Sequence, residues 1–151
     1  MTFYRCDTCG NIVTKLYDRS RGLVCCGEPM GELLPGTTDA SREKHVPFLD
    51  LVGSHLHVQV GEAAHPMSPE HYIQLICLEQ GDNIRIKYLK PGDAPEAVFP
   101  VQPGQPLTVY EYCNLHGLWK AGLFGMGAYS NDHDDIVACS PEFPQGCVGD
   151  L

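Results

Sequence analysis

Four cysteines lie near the start of this 151-residue chain, as Cys6-Asp-Thr-Cys9 and as the adjacent pair Cys25-Cys26. The segment that carries them, residues 1–36, has too few large apolar side chains to form a hydrophobic core unaided. Four thiolates supplied by two turns make a closed tetrahedral site of the kind that holds zinc or iron. We therefore predict that a metal ion holds this segment together.

The adjacent pair Cys25-Cys26 distinguishes this set from two Cys-x-x-Cys turns. Neighbouring residues cannot both present sulfur at relaxed tetrahedral angles as readily as separated ones, so we expect a distorted site. Gly10, directly after Cys9, allows backbone amides to approach the sulfurs. The ligand set leaves the metal open, because a zinc ion that only staples residues 1–36 is an alternative to iron. Free thiols are a weaker alternative.

The composition is that of a globular chain, with 43% apolar and 19% charged residues. No apolar run approaches the roughly 20 residues that span a bilayer, and the N-terminus shows no signal-peptide pattern. These features predict a cytoplasmic protein, in which eight cysteines are ligands or buried thiols rather than disulfides. A net charge of -9 with scattered Lys and Arg argues against nucleic acid as a partner, and no membrane partner is expected.

The chain changes character after the turn-forming stretch 35–39, where we place a domain boundary. Beyond it, short apolar runs at 72–78, 84–89, 97–101 and 107–112 are separated by Gly- and Pro-containing turns. This spacing predicts a mostly β fold, and an immunoglobulin-like β-sandwich is the simplest architecture.

Five residues beyond position 40 stand in contexts that favour metal binding. His45 lies in Glu-Lys-His-Val-Pro, His65 in Ala-His-Pro-Met, and His71 six residues later. Cys113 and His116 lie together in Cys-Asn-Leu-His-Gly. Most of them fall in turns or at strand ends, and loops held by a rigid β scaffold are where metal ligands usually converge.

Four imidazoles and one thiolate make a five-coordinate site with an open sixth position, which suits iron better than zinc. A thiolate opposite that position would push electron density onto the metal, as in haem monooxygenases, so Cys113 is the candidate axial ligand. We leave His55, His57 and His133 out of the site. Cys77, inside an apolar run, is interpreted as a buried core residue.

These residues resemble the desulfoferrodoxin family over roughly residues 3–121. The matching motifs, in order, are Cys-x-x-Cys-Gly-Asn, Cys-Cys, Glu-Lys-His-Val-Pro, Ala-His-Pro-Met, His-Tyr-Ile-Gln, Leu-Lys-Pro-Gly, Ala-Pro-Glu-Ala-Val-Phe and Glu-Tyr-Cys-Asn-Leu-His-Gly-Leu-Trp-Lys. The resemblance implies a desulforedoxin-like, rubredoxin-type iron domain over residues 1–36 and an immunoglobulin-like superoxide reductase domain over residues 37–121. Residues 122–151 form a C-terminal extension of unknown role.

The resemblance also implies two irons per chain, with zinc possible at the first site. The implied ligands of the first iron are Cys6, Cys9, Cys25 and Cys26, and those of the second are His45, His65, His71 and His116 in a plane with Cys113 axial. Glu43 is implied to occupy the sixth position of oxidised iron. Lys44 is implied to assist at the open face when the iron is reduced.

The implied reaction combines superoxide with one electron, supplied by ferrous iron, and two protons to give hydrogen peroxide. The acidic chain would repel this anionic substrate unless local positive charge such as Lys44 outweighs the distant field, which salt screens over about 8 Å. The family implies a rubredoxin-like electron donor. We also predict a homodimer, because a small iron domain with little core would gain stability from pairing.

Two other functions stay open at this point. The first is a pure electron carrier that binds no substrate, against which the open sixth position and Lys44 argue. The second is a zinc-stabilised interaction module, which colour and iron content would distinguish. For the tail, the plain interpretation is a flexible acidic extension, and a disulfide or small metal site formed by Cys139, Cys147 and His133 is a weaker one.

Overall fold

The computed structural model describes residues 1–19, 22–38, 40 and 42–124, and the backbone of 128–131. Two compact units are present, one over Met1–Leu34 and one that begins at Pro35. The predictions for Cys139, Cys147 and His133 lie outside the described residues, and the domain limits at 36 and 121 stay predictions.

The first unit is built from very short strands. They are β1 (Phe3–Arg5), β2 (Ile12–Thr14), β3 (Val24–Cys25), β4 (Glu28–Pro29) and β5 (Gly31–Leu33). One antiparallel sheet has the order β2-β1-β5, and β3 pairs with β4. Among the described residues of this unit, Phe3 and Cys6 are the buried hydrophobic side chains. Two such residues cannot supply a core, which agrees with the expectation of a metal staple.

The second unit is a two-sheet β structure preceded by a short helix. Its elements are α1 (Arg42–His45), β6 (Pro47–Val52), β7 (His55–Val60), β8 (Ile73–Gln80), β9 (Asn83–Tyr88), β10 (Glu96–Pro100), β11 (Leu107–Cys113), β12 (Gly117–Phe124) and β13 (Ala128–Asn131). One sheet has the order β10-β7-β6 and the other β13-β12-β11-β8-β9, and all their pairings are antiparallel. The predicted mostly β fold is confirmed.

Alternating side chains fill the space between the two sheets. In β7, Leu56 and Val58 are buried, whereas His55 and His57 are exposed, as the period of two requires. The buried residues that form the hydrophobic core are Leu49, Leu56, Val58, Val60, Ile73, Ile76, Leu78, Leu89, Ala97, Phe99, Val101, Leu107, Val109, Cys113, Ala121 and Leu123. Cys113 thus belongs to both the core and the candidate metal site, so a rigid wall supports that side of the site.

Helix α1 is four residues long and carries Glu43, Lys44 and His45 at the entrance to β6. Its first three residues are exposed, while His45 is buried. The segment therefore presents two charged side chains to solvent and one imidazole to the interior. Within the described residues, no helix has the length and apolar character needed to cross a membrane.

Candidate metal centres

The four cysteines of the first unit converge from its two turns. The sulfur of Cys9 lies 3.5 Å from that of Cys25, which lies 3.9 Å from that of Cys26. All four sulfurs, that of Cys6 included, lie within 4.8 Å of one another. The first turn is closed by backbone hydrogen bonds from the Gly10 amide to the Cys6 carbonyl (2.8 Å) and from the Cys6 amide to the Asn11 carbonyl (2.9 Å).

The adjacent cysteine pair imposes a cost on the backbone. Cys26 has a φ of 54°, the sole positive value for a non-glycine residue in the described chain, and Gly27 follows with a φ of 84°. A side chain with a Cβ atom in this region costs on the order of 1–3 kcal/mol. This backbone conformation occurs where the chain turns between two neighbouring cysteines. The distorted metal geometry expected from the adjacent pair stays a prediction.

The thiol pKa values indicate what this cluster requires. Backbone hydrogen bonding from Cys9 lowers the pKa of Cys6 to about 7. Hydrogen bonding to Cys9 and Cys25, in contrast, raises the pKa of Cys26 to about 12, because sulfurs so close together cannot all ionise without a cation. A bound metal cation removes that conflict, so the donor set fits a metal that takes four thiolates.

The second cluster collects residues from four places in the sandwich. His45 ends α1, His65 lies in the turn after β7, and His71 forms an isolated bridge with Ser68 before β8. Cys113 ends β11, and His116 lies in the turn that leads into β12. One donor atom from each of the four histidines and from Cys113 lies within 4.8 Å of all the others.

The four imidazoles form a square. Neighbouring ring centres lie 4.5 to 4.8 Å apart in the order His45, His65, His71, His116, and each neighbouring pair is nearly perpendicular, with interplanar angles of 75° to 84°. Across the diagonal, His45 and His71 lie 6.1 Å apart and 28° from parallel. Four rings placed edge-on around one point have this pattern, which fits a planar set of four ligands.

Particular nitrogens face the centre of this square. His45 Nε2 lies 3.1 Å from His65 Nε2 and 2.9 Å from His116 Nδ1. His65 Nδ1 donates to the Pro66 carbonyl at 2.6 Å, which leaves Nε2 as the acceptor that a metal needs. His71 Nε2 is buried and has no hydrogen-bond partner among the described residues. A bound cation would satisfy that nitrogen, so the residues fit a metal ion.

Burial lowers the pKa values of two of these histidines, His65 and His71. Desolvation lowers the pKa of His65 to about 4, with smaller contributions from the neighbouring imidazoles. The pKa of His71 is also lowered, first by burial and then by the charges of His116 and Lys44. Neutral imidazoles at physiological pH have their lone pairs available for a metal.

Cys113 is the fifth member of this cluster and is fully buried. Its sulfur lies 3.6 Å from His116 Nδ1. Burial raises its pKa, while backbone amides of His116 and Leu115 lower it. The burial effect is the larger, so the pKa of Cys113 is raised overall, and a bound cation would favour the thiolate, the form in which cysteine binds metals.

The chain matches the desulfoferrodoxin N-terminal domain over residues 1–33 and the main desulfoferrodoxin domain over residues 37–122. It is 49% identical over 118 residues to a desulfoferrodoxin of Syntrophotalea carbinolica, covering 78% of this chain and 93% of that protein. A desulfoferrodoxin of Nitratidesulfovibrio vulgaris is 48% identical over 118 residues, with the same two shares. The chain belongs to the desulfoferrodoxin family.

A solved structure supports the same grouping. The crystal structure of the superoxide reductase from Treponema pallidum matches with a TM-score of 0.63 and 34% identity, over 78% of this chain and 97% of that one. The resemblance to desulfoferrodoxin seen in the motifs is thus confirmed. In this desulfoferrodoxin the four-cysteine and four-histidine-one-cysteine clusters are consistent with two iron sites.

The structure brings together all nine ligand candidates in two clusters. Of the histidines that were excluded from the site, it describes His55 and His57. His55 and His57 are exposed on β7 and belong to neither cluster. Glu43 and Lys44 precede His45 directly and are exposed. Cys77 is fully buried, as interpreted from the sequence.

The sequence predicted no role for Trp119, yet its side chain contacts the second cluster. Its ring stacks on His45, with ring centres 5.0 Å apart and 23° between the planes, and its Nε1 donates to the His116 carbonyl at 3.1 Å. Its place three residues after the candidate ligand His116 is the sequence feature that could have predicted this contact.

Glu111 is a second residue that the sequence reasoning missed. Its carboxyl group is fully buried, and neither oxygen has a hydrogen-bond partner among the described residues. Burial therefore raises its pKa well above the usual range and keeps it protonated. The sequence feature that could have predicted its burial is its position inside an apolar strand, two residues before Cys113.

Proposed function

We propose that this protein is a superoxide reductase that acts at the cluster of four histidines and Cys113. The observation that carries the proposal is the square of four imidazoles with the buried sulfur of Cys113 beside it. Such a set leaves a sixth position open on an octahedral metal. Membership of the desulfoferrodoxin family and the likeness to a superoxide reductase structure support the same reaction.

Superoxide, one electron and two protons give hydrogen peroxide in this reaction. Ferrous iron, when bound, supplies the electron, and a thiolate ligand increases its electron density. Cys113 is proposed as the residue that would supply this thiolate, and His45, His65, His71 and His116 as the residues whose imidazoles would hold the iron. Their side chains fix the metal on the scaffold, while the core packing of Cys113 keeps water from the sulfur side.

Lys44 is proposed to guide the substrate and its protons. The chain carries a net charge of -9, so an anion needs local positive charge to approach. Lys44 is exposed, and its charge acts on His71 at the site. Its ammonium group would attract superoxide and orient the water that delivers protons.

Glu43 is proposed as a residue that would bind the oxidised iron. It lies two residues before the ligand candidate His45 on an exposed segment. A carboxylate oxygen is a donor that suits ferric iron.

The four-cysteine site is proposed to pass electrons without meeting the substrate. Cys9 and Cys26 are exposed, which suits contact with an external donor. A rubredoxin-like donor, a homodimer and a cytoplasmic location stay predictions.

The proposal is tested by pulse radiolysis of the ferrous protein and of two lysine variants. Lys44→Ala should oxidise about 10-fold more slowly with superoxide and lose most of the ionic-strength dependence, because the local attractive charge is gone. Lys87→Ala is the matched control, since it removes the same charge from β9. Equal rates in both variants would remove Lys44 from the mechanism. If the ferrous sites of the wild-type protein did not react with superoxide, the proposed reaction would be excluded and a pure electron carrier would be the remaining function.

A further inference from the structure

We infer that Asn114 is a positioning residue that ties the His71 segment to the turn bearing Cys113 and His116. The inference rests on the proposed metal-binding role of that cluster and deepens it. Asn114 contacts none of the reacting atoms in this account. It would act through the backbone on either side of His71.

Three hydrogen bonds join Asn114 to the residues that flank His71. The Tyr72 amide donates to Asn114 Oδ1 at 2.8 Å, and Asn114 Nδ2 donates to the Glu70 carbonyl at 2.9 Å. The Asn114 amide donates to the Tyr72 carbonyl at 3.1 Å. One residue thus holds both neighbours of a proposed ligand from a distance of more than forty positions in the sequence.

An irregularity in the sheet explains why a side chain is needed here. The antiparallel pairing of β11 with β8 is regular up to Tyr112 and shifts register between Tyr112 and Cys113. Beyond such a bulge the main-chain groups of the two strands no longer face each other in pairs. The Asn114 carboxamide has the donor and acceptor of a peptide group, so its two side-chain bonds supplement the one backbone bond from the Asn114 amide to the Tyr72 carbonyl beyond the shift.

The position of His71 depends strongly on this attachment. Its own backbone bonds only locally in the described chain, to Ser68, with amide and carbonyl distances of 3.1 and 3.0 Å. No described residue hydrogen-bonds a ring nitrogen of His71, whose Nε2 is buried, whereas the Pro66 carbonyl holds the ring of His65. The His71 ring contacts His65 and His116 edge-on. The hydrogen bonds that tie its segment to the rest of the sandwich are those of Asn114 to Glu70 and Tyr72.

The test measures how tightly ferrous iron binds to the cluster. Trp119 is the single tryptophan of the chain and stacks on His45, so quenching of its fluorescence reports this site. Ferrous iron is titrated without oxygen against a competing chelator into wild type, Asn114→Ala and Asn114→Asp. Loss of a group that orients a ligand typically costs 10–100-fold in metal affinity, and we expect a loss of about that size in both variants.

The aspartate variant separates positioning from charge. It keeps the acceptor for the Tyr72 amide but places a carboxylate against the Glu70 carbonyl, so the clamp is broken on one side. An added negative charge alone would strengthen cation binding, whereas a broken clamp weakens it. Asn83→Asp, which makes the same change at the exposed start of β9, is the control and should bind iron like wild type.

A second background shows whether the effect passes through His71. In His71→Ala protein, Asn114→Ala should cost less than about 2-fold further affinity, because neighbouring residues that act as a unit are not additive. The full loss in that background, or unchanged affinity in both Asn114 variants, would overturn the inference. Circular dichroism of the metal-free variants verifies folding. Binding of iron without any reaction with superoxide would refute the proposed reaction and leave this inference standing.

Discussion

At the scale of single residues, the sandwich contains titratable groups that burial holds neutral. The Cys77 thiol is fully buried, and desolvation, with a contribution from the charge of Glu79, raises its pKa to about 11. The neighbouring Tyr110 hydroxyl donates to Glu79 at 3.1 Å, and burial raises its pKa as well. Cys77 thus keeps its proton at physiological pH, and it belongs to neither of the two ligand clusters.

Cys77 should make the stability of the protein fall at alkaline pH. An unfolded thiol ionises near its ordinary pKa of 9.0, whereas the folded one holds its proton to about 11. The stabilisation is therefore fully present below the unfolded pKa and is lost as pH rises through this interval. We expect the free energy of unfolding of wild type, relative to Cys77→Ala, to drop by on the order of 2 kcal/mol over that range. Denaturant unfolding at several pH values measures it, and parallel curves would contradict the assigned burial.

At the scale of elements, the turn after β7 holds the segment that carries Glu43 and Lys44. The Ala63 amide donates to the Glu43 carbonyl at 3.3 Å, and the Gly61 amide donates to the Val46 carbonyl at 3.2 Å. Gly61 has a φ of 80°, and a Cβ atom there would lie 2.6 Å from the Lys44 carbonyl oxygen. The two backbones approach more closely than any other residue type would allow.

Gly61→Ala should therefore cost more than an alanine at another glycine of the same conformation. Gly104 is the matched control, because its φ is also 80° and a Cβ atom there would meet nothing within 4 Å. Gly104→Ala should cost about 1–2 kcal/mol from backbone strain alone. Gly61→Ala should cost roughly 1–3 kcal/mol more, since the added atom overpacks against backbone. Urea unfolding of both variants compares them, and equal losses would show that the α1 segment yields freely.

The sequence predicted the elements where its pattern was strong. The apolar runs predicted at 72–78 and 84–89 correspond to β8 and β9, which pair as a hairpin across the turn at Gly81. Strand β13, which pairs with β12, lies where Gly-rich sequence shows no period. Its pairing comes from the neighbouring strand, which a local pattern does not contain.

The candidate site was predictable in its ligand types but not in its supports. Histidine and cysteine motifs identified the nine candidates, because their chemistry is carried by residue type. The use of Nδ1 by His116 and Nε2 by His65 depends on backbone direction and on the Pro66 carbonyl. The stacking of Trp119 on His45 likewise depends on strands that meet only in the folded chain.

At the scale of the whole molecule, the two compact units differ in what holds them. The first has two buried hydrophobic side chains among its described residues, whereas the second has a continuous core between its sheets. We therefore expect metal binding to supply the folding free energy of the first unit but not that of the second. Damage to the four-cysteine site should stay local.

Cys9→Ser together with Cys26→Ser tests this independence. We expect loss of one iron per chain and rapid proteolysis within residues 1–34, because the closing ligands are gone. The rate of oxidation of the remaining ferrous site by superoxide should stay within about 2-fold of wild type if the four-cysteine iron does not meet the substrate. Iron analysis, limited proteolysis and pulse radiolysis measure these outcomes. Loss of the superoxide reaction would show that the two centres act as one.

The superoxide reductase reaction at the second cluster is tested most directly by counting its products. Ferrous protein with two irons per chain is mixed with a known amount of superoxide, and oxidised iron, hydrogen peroxide and dioxygen are measured in wild type and Cys113→Ser. We predict that one peroxide is formed and one iron is oxidised for each superoxide consumed, and that no dioxygen is released. In the serine variant we expect the reaction to be lost. Dioxygen released with peroxide, or superoxide that leaves the iron reduced, would contradict it.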